Sequence, residues 1–361
     1  MEKMTIKEVQ KLCLSRGIPF YTYRLPGGQE VFFGAQLSGQ VLPDRELSHC
    51  SNDGFVVVPF EESEEVPELF IREDVGFVDE TMDDRIIKAL ETAGSEFKKL
   101  EPGKSISREE YLKQAEDVVT LLKEKEAQKV VLARRKVVSY AAYKRAPKCF
   151  QKLLDRYPDT FVFLVSVPGV MTWMGATPEV FLRQMMGFSS TMSLAGTRAA
   201  GTGGEWGEKE KKEQEIVTDY IAEVLERLVG IGWWQHGPFS RRAGKLEHLC
   251  TTFSYPGRLP DEMIDVIRKE LHPTPAVGGY PKLDAREVIH RIEGKNRRYY
   301  GGYLGPVHKN WTFDWFVNLR SMELFPNAAC LYVGGGLTVD SVPELEWKET
   351  VLKSKTLLSI I

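Results

Sequence analysis

Near the end of the chain, "PELEWKETVLKSK" (343–355) sets Glu346 and Glu349 three residues apart, with Lys353 four further on. On a helix all three side chains leave from one face. Read locally, this is a solvated face with a favourable Glu349–Lys353 pair. A second stretch, "EKEKKEQE" (208–215), repeats the spacing with Glu210 and Glu213. It too reads locally as a solvated charge run. Two such pairs facing one cavity would instead make a hard, oxygen-rich site, suited to Mg²⁺ with waters and an anionic substrate.

Other residues carry chemistry of their own. "KVVLARR" opens with Lys129 ahead of an apolar strand. A lysine there is either a solubility device at a sheet edge or, drawn into a cavity, a base. "GATPEVF" places Glu179 after a proline turn, an ordinary element start when taken alone. "LAGTRAAG" puts Gly196, Thr197 and Arg198 at a strand end, where small residues let a ligand reach the backbone. "YVGGGLTVDSVPE" sets three glycines in a strand-like run, which implies a compensating close approach. "HPTPAVGG" (272–279) reads as a rigid loop. "GTGGEWGEKEKK" lacks the Gly-Lys-Ser/Thr ending of a phosphate loop and reads as a glycine-rich connection.

These residues need elements to position them. The first hundred residues alternate short apolar strands with turns, including a hairpin at "RLPGGQE" and an acidic loop at "EESEEVPE". Ser107 and Glu110 form a capping-box pattern that opens a helix through about Glu126. Further helices are expected at about 147–156, 209–229, 261–270, 284–293 and 343–360. Between them lie the strands "KVVLARRKVVSY", "TFVFLVSV", "VMTWMGA", "VFLRQ" and "FSSTMSLAG", and later "YYGGYLGPV", "TFDWFVNLRSMELF" and "AACLYVGGGLTV". Strict β-α alternation is missing, so the pattern predicts α+β with large mixed or antiparallel sheets flanked by helices, not a doubly wound fold.

A chain of 361 residues with 42% apolar and 27% charged content is long enough for a substantial core. A net charge of −3 gives no reason to expect nucleic acid or an anionic membrane as partner. The five cysteines (13, 50, 149, 250, 330) are scattered and form no C-x-x-C pair, which fits a reducing cytosol and neither a disulfide framework nor a structural zinc. The first residues mix acids and bases without an apolar core, so no signal peptide is expected, and no apolar run reaches membrane-span length.

Taken in order, the motifs resemble one family. "KVVLAR", "GATPE", "LAGTRAAG", "EKKEQEIV", "KLEHL", "HPTPAVGG", "RRYYGGYLGP", "NLRS" and "GGGLTVDSVPELEWKET" succeed one another as in the chorismate-utilising enzymes. That family includes isochorismate, salicylate, anthranilate and aminodeoxychorismate synthases. The resemblance covers about 105–358, a chorismate-binding catalytic region, while 1–104 resembles the variable N-terminal part of the same structural unit. It implies the aminodeoxychorismate synthase-like fold, with Mg²⁺ as cofactor and chorismate as substrate. "LAGTRA" and "HPTPA" resemble the isochorismate synthase branch; the amine-transferring branch tends to carry proline where this chain has Ala199.

The resemblance also implies roles. Glu213 and Glu349 match the metal ligands, and Glu210 and Glu346 their acidic partners, reaching the ion directly or through water. Lys353 matches a residue that pairs with a substrate carboxylate. Arg320 suits a bidentate clamp on the enolpyruvyl carboxylate, helped by the Tyr300 hydroxyl and backbone N–H groups at Gly334 and Gly336. Thr197 and His248 line the ring, unless His248 is a satisfied core histidine. Lys129 matches the base and Glu179 the acid of a hydroxyl shift from C4 to C2. The expected activity is an isomerase in the cytoplasm, feeding menaquinone or siderophore biosynthesis without a glutaminase subunit. Salicylate synthase, aminodeoxychorismate synthase and an idle scaffold are the competing readings.

Overall fold

The strand Phe161–Val167 shows how the fold is built. Successive side chains of a strand point to opposite faces. Phe161, Phe163 and Val165 therefore enter an aromatic core between two sheets, while Val162 and Leu164 turn to a second core under helices. Both faces are buried, so the segment reads as a continuous apolar run. The computed structural model describes residues 4–38, 40–41, 52–79, 84–294 and 297–361. Cys50 lies outside the described residues; Cys13, Cys149, Cys250 and Cys330 are buried and unpaired.

One sheet has nine strands, in the order Gly279–Tyr280, Lys129–Ser139, Ala328–Leu337, Ser321–Phe325, Met171–Thr177, Phe161–Val167, Phe20–Arg24, Phe32–Ala35 and Val75–Val78. The other has eight: Trp234–Ala243, Leu246–Pro256, Phe188–Ala199, Val180–Gln184, Phe313–Val317, Tyr303–Val307, Gly54–Val58 and Leu69–Arg72. Among the described residues every pairing is antiparallel, so neither sheet is mixed. Phe161 of one sheet stacks on Phe316 of the other with ring centroids 4.1 Å apart. Helices Ile6–Arg16 and Ala142–Arg156 cover the outer face of the nine-stranded sheet, and Glu208–Val229 and Asp261–Leu271 cover that of the eight-stranded one. Arg108–Lys123 and Lys282–Glu293 close a further core against the strand Lys129–Ser139. No helix among the described residues is long and apolar enough to cross a membrane.

The expected helices are present, and Ser107 and Glu110 form the capping box. Helices Ile6–Arg16 and Asp84–Thr92 lie where only strands and turns were expected. The hairpin of Trp234–Ala243 and Leu246–Pro256 was likewise not anticipated. "TFDWFVNLRSMELF" is two strands in different sheets, not one. "YYGGYLGPV" becomes a strand only at Tyr303, after a turn in which Gly301 takes φ +77°.

Two steps between the sheets matter for the site. The chain crosses from Thr177 to Val180 and, alongside, from Val317 to Ser321. The Thr177 hydroxyl donates to the Val317 carbonyl (2.7 Å), and the Val317 N–H donates to the Glu179 carbonyl (3.0 Å). Glu179 sits on the first crossing and Arg320 on the second.

Candidate active site

A cleft with about 800 Å³ of empty space opens where these crossings meet the glycine-bearing strand. Glu179, Gly196, Thr197, Glu213, His248, Tyr300, Arg320, Gly334, Gly336 and Lys353 all line it. Residues dispersed over nearly half the chain are thus brought to one place.

Lys129 is the first residue of its strand and is 0% exposed, so it is no edge device. Its Nζ stands 3.2 Å from Glu213 Oε1, without hydrogen-bonding geometry. Glu179 is 1% exposed and immediately precedes the strand Val180–Gln184. Burial pushes its carboxyl up to about 8, against the pull of Lys129, Arg320, Arg241 and Lys353. It therefore holds its proton at neutral pH.

Arg320 adopts a left-handed backbone, φ +48°, at the crossing. Such a conformation in a non-glycine residue is held by its surroundings. Nη1 donates to the Ala243 carbonyl (3.0 Å), and Nη2 donates to His248 Nε2. His248 Nδ1 lies 2.8 Å from the Gly196 carbonyl and 3.3 Å from the Thr197 hydroxyl. Burial, together with Arg320 and Lys353, holds the imidazole well below its ordinary range. A neutral ring with its proton on Nδ1 satisfies both contacts and accepts from Arg320. His248 thus lines the cleft and also orients Arg320. Burial brings Arg320 down to about 10, which leaves it charged at neutral pH. Tyr300 stacks on Tyr332 with centroids 5.6 Å apart, and burial raises its hydroxyl, so it remains a donor.

The glycines permit close approach. A Cβ on Gly336 would lie 2.2 Å from Glu213 Oε1 and 3.0 Å from Lys129 Cε. One on Gly335 would lie 3.4 Å from Glu346 Oε2 and 3.8 Å from Glu349 Oε1. Among the described residues Ser321–Phe325 pairs this strand only as far as Leu331, so Gly334–Gly336 present one unpaired backbone edge. At Gly196, φ +65°, a β-bulge turns the strand while the helix Glu208–Val229 passes over it; a Cβ there would meet Glu210 Cβ at 3.1 Å.

Three carboxylates converge on this strand, each held by a lysine. Lys129 is on Glu213; Lys353 Nζ is 2.7 Å from Glu349 Oε1, and Lys209 Nζ is 2.5 Å from Glu346 Oε1. Lys353 also donates to the Gly334 carbonyl (2.9 Å). Burial opposes charge on Lys353, but Glu349 outweighs it and keeps the ammonium protonated. Glu349 is correspondingly lowered: burial raises it, and Lys353 more than compensates. No three His, Cys, Asp or Glu groups among the described residues stand in metal-ligating geometry. The donor set nevertheless fits a hard dication. Glu346 is 1% exposed, and its Oε2 is buried without a hydrogen-bond partner. The glycines leave the adjoining space free of side chains.

Glu210 is the exception. Its carboxylate turns back along its own helix, and a Cβ on Gly207 would lie 2.5 Å from Oε2. Among the described residues it forms no ion pair. The structure therefore does not join it to the other three. Sequence reasoning missed Lys209, although its i,i+4 spacing from Glu213 was a signal. It also missed Leu319 and Tyr332, which line the cleft but carry no pattern of their own.

A family model described as chorismate binding enzyme matches residues 41–361. The chain belongs to this family. Isochorismate synthase MenF of Bacillus subtilis is 29% identical over 266 residues, covering 71% of this chain and 56% of that protein. Isochorismate synthase EntC of Escherichia coli K12 is 29% identical over 242 residues, 64% of this chain and 62% of that one. The chain thus spans less than two thirds of the length of these curated relatives. Among solved structures, that titled putative 2,3-dihydroxybenzoate-specific isochorismate synthase DhbC from Bacillus anthracis has a TM-score of 0.78 at 22% identity, covering 98% of this chain and 99% of that one. Anthranilate synthase component I from Streptococcus pneumoniae has a TM-score of 0.69 at 17% identity, covering 94% and 89%. These likenesses establish the family's fold for this chain.

Proposed function

We propose that this chain is an isochorismate synthase, a metal-dependent isomerase that converts chorismate to isochorismate. One observation carries the reading. Glu179, a buried carboxyl still protonated at neutral pH, faces the same cleft as Glu213, and the buried Lys129 Nζ stands 3.2 Å behind it on Glu213 Oε1. A hydroxyl shift needs such an acid opposite a base. Isochorismate synthases among the relatives support the choice within the family.

Chorismate is a dianion with an apolar ring. Val131, Leu194, Ala276, Val277 and Leu319 supply apolar walls. Arg320, Tyr300 and the open backbone edge at Gly334–Gly336 receive the enolpyruvyl carboxylate. Glu213, Glu346 and Glu349 would hold Mg²⁺, with Lys353 beside the same carboxylate-binding end. When bound, the ion supplies positive charge that draws electron density from the ring through its carboxylate. Lys129 must first give up its own proton to solvent; as the free amine, Nζ then takes a proton from water as the C2–O bond forms. The ring double bonds shift, and the C4–O bond breaks as Glu179 gives its proton to the departing hydroxyl. The two groups end with their proton states exchanged and reset through solvent, so the step runs in both directions.

The buried, unpaired cysteines fit a reducing compartment, and we place the enzyme in the cytoplasm, feeding menaquinone or siderophore biosynthesis without a glutaminase subunit. The test is incubation with chorismate and Mg²⁺, followed by separation of products. Isochorismate should form, and chorismate should form from isochorismate. Pyruvate with fluorescent salicylate would instead identify a salicylate synthase. An aminated product formed with ammonium faster than hydroxyl transfer would rule out both.

A further inference from the structure

Three lysines meet three carboxylates at the glycine strand, and the proposed chemistry employs only two of them. Lys209 has no role as acid, base or substrate ligand. Its position is costly in isolation. It lies in the first turn of the helix Glu208–Val229, where the helix dipole disfavours a cation. Glu346 makes up for this from the first turn of the opposite helix, Pro343–Leu358. Glu346 in turn depends on Lys209, because a 1% exposed carboxylate without a partner is strongly unfavourable. Glu213 and Glu349 also act on the same ammonium. One cation therefore already feels all three carboxylates.

We infer that Lys209 is a built-in counter-cation for Glu346, holding the two helices together when no metal is bound, and that an entering divalent cation displaces it. The inference rests on the metal reading of the proposed function. Lys209 is 33% exposed, so its long side chain has a path into solvent. Leaving Glu346 frees Oε1 beside the already unpartnered Oε2.

The experiment titrates Mn²⁺ into the full chain without chorismate, following free Mn²⁺ by electron paramagnetic resonance. Lys209→Met keeps the side-chain length and removes the charge. It should bind Mn²⁺ roughly tenfold more tightly or better, since a unit charge no longer competes at contact distance. Metal-free Lys209→Met should melt below wild type, with saturating Mn²⁺ closing the gap. Equal or weaker binding by the variant would overturn the inference, because Lys209 would then be orienting Glu346 for the ion. A second readout uses wild type alone: acetylation of Lys209, followed by mass spectrometry, should be slow without Mn²⁺ and faster with it. An unchanged rate also overturns the inference. If wild type binds no Mn²⁺ at all, the metal reading falls and this inference with it. If wild type binds and the variant gains nothing, only this inference falls.

Discussion

Gly336 lies so close to Glu213 that a Cβ there would sit 2.2 Å from the carboxylate Oε1. The same atom would crowd Lys129 Cε at 3.0 Å. Gly336→Ala must therefore displace a proposed metal ligand or the proposed base. We predict a loss of about 10²-fold in kcat/KM, as expected when reacting groups move by about an ångström. Gly335→Ala tests the metal end instead. Its Cβ would lie 3.4 Å from Glu346 Oε2 and 3.8 Å from Glu349 Oε1, an ordinary contact that leaves the fold intact but fills space beside the proposed ion. This variant should melt like wild type and require more Mg²⁺ for turnover. Assays of both variants beside their thermal melts decide the matter; wild-type turnover in Gly336→Ala would defeat the crowding argument.

Lys129→Ala and Glu179→Gln should each lose roughly 10²- to 10⁴-fold in rate, the usual contribution of a general acid or base. Glu179→Gln keeps shape and hydrogen-bonding capacity, so it should fold normally. Circular dichroism checks the fold, and a chorismate assay checks the rate. Near-normal turnover in either variant refutes that residue's role.

Removing divalent metal should abolish turnover, and Mg²⁺ should restore it. The basis is the convergence of Glu213, Glu346 and Glu349, with an unpartnered oxygen on Glu346. Activity that survives excess chelator would show that the lysine-paired carboxylates suffice without an ion.

What the sequence could reveal here was set by spacing. An i,i+3 pair must share a helix face, so the Glu346/Glu349 arrangement was readable, as was the need for close approach at the triple glycine. Where a side chain turns afterwards depends on neighbours distant in sequence. Glu210 bends back because Gly207 leaves it room, and no local pattern records that. Lys209 was hidden in a charge run that reads as solvated until the opposite helix supplies Glu346. Sheet membership was equally opaque. The left-handed Arg320 divides one apolar run between two sheets, and only tertiary packing fixes that backbone. The N-terminal helix, by contrast, has a local signature: Thr5 and Glu8, three residues apart, form a capping box.

His248 and Arg320 act as a unit, so truncating the first should disturb the second. In His248→Ala the guanidinium loses its Nη2 partner and keeps only the Ala243 carbonyl. We expect KM to rise about tenfold, the equivalent of one lost hydrogen bond of roughly 1.4 kcal/mol, with a smaller change in kcat. Steady-state kinetics separate the two. A fall in kcat at constant KM would mean that His248 serves the chemical step directly.

The pH dependence follows from Glu179. Burial, against the pull of nearby cations, raises its carboxyl to about 8. Acid catalysis needs the protonated form, so kcat/KM should fall as pH rises through about 8. Stability has the same sign. The native state holds this proton more tightly than the unfolded chain, which binds it with an ordinary carboxyl affinity. The stabilisation is complete below the ordinary carboxyl range and disappears as pH climbs through about 8. Glu323, raised to about 7 by burial, adds a slope of the same sign. Glu179→Gln removes the first contribution and leaves the second. The variant should therefore gain stability relative to wild type between pH 5 and pH 9. Urea unfolding of both proteins at those two pH values measures the difference, and a difference that stays flat means the Glu179 carboxyl is not held protonated by the fold.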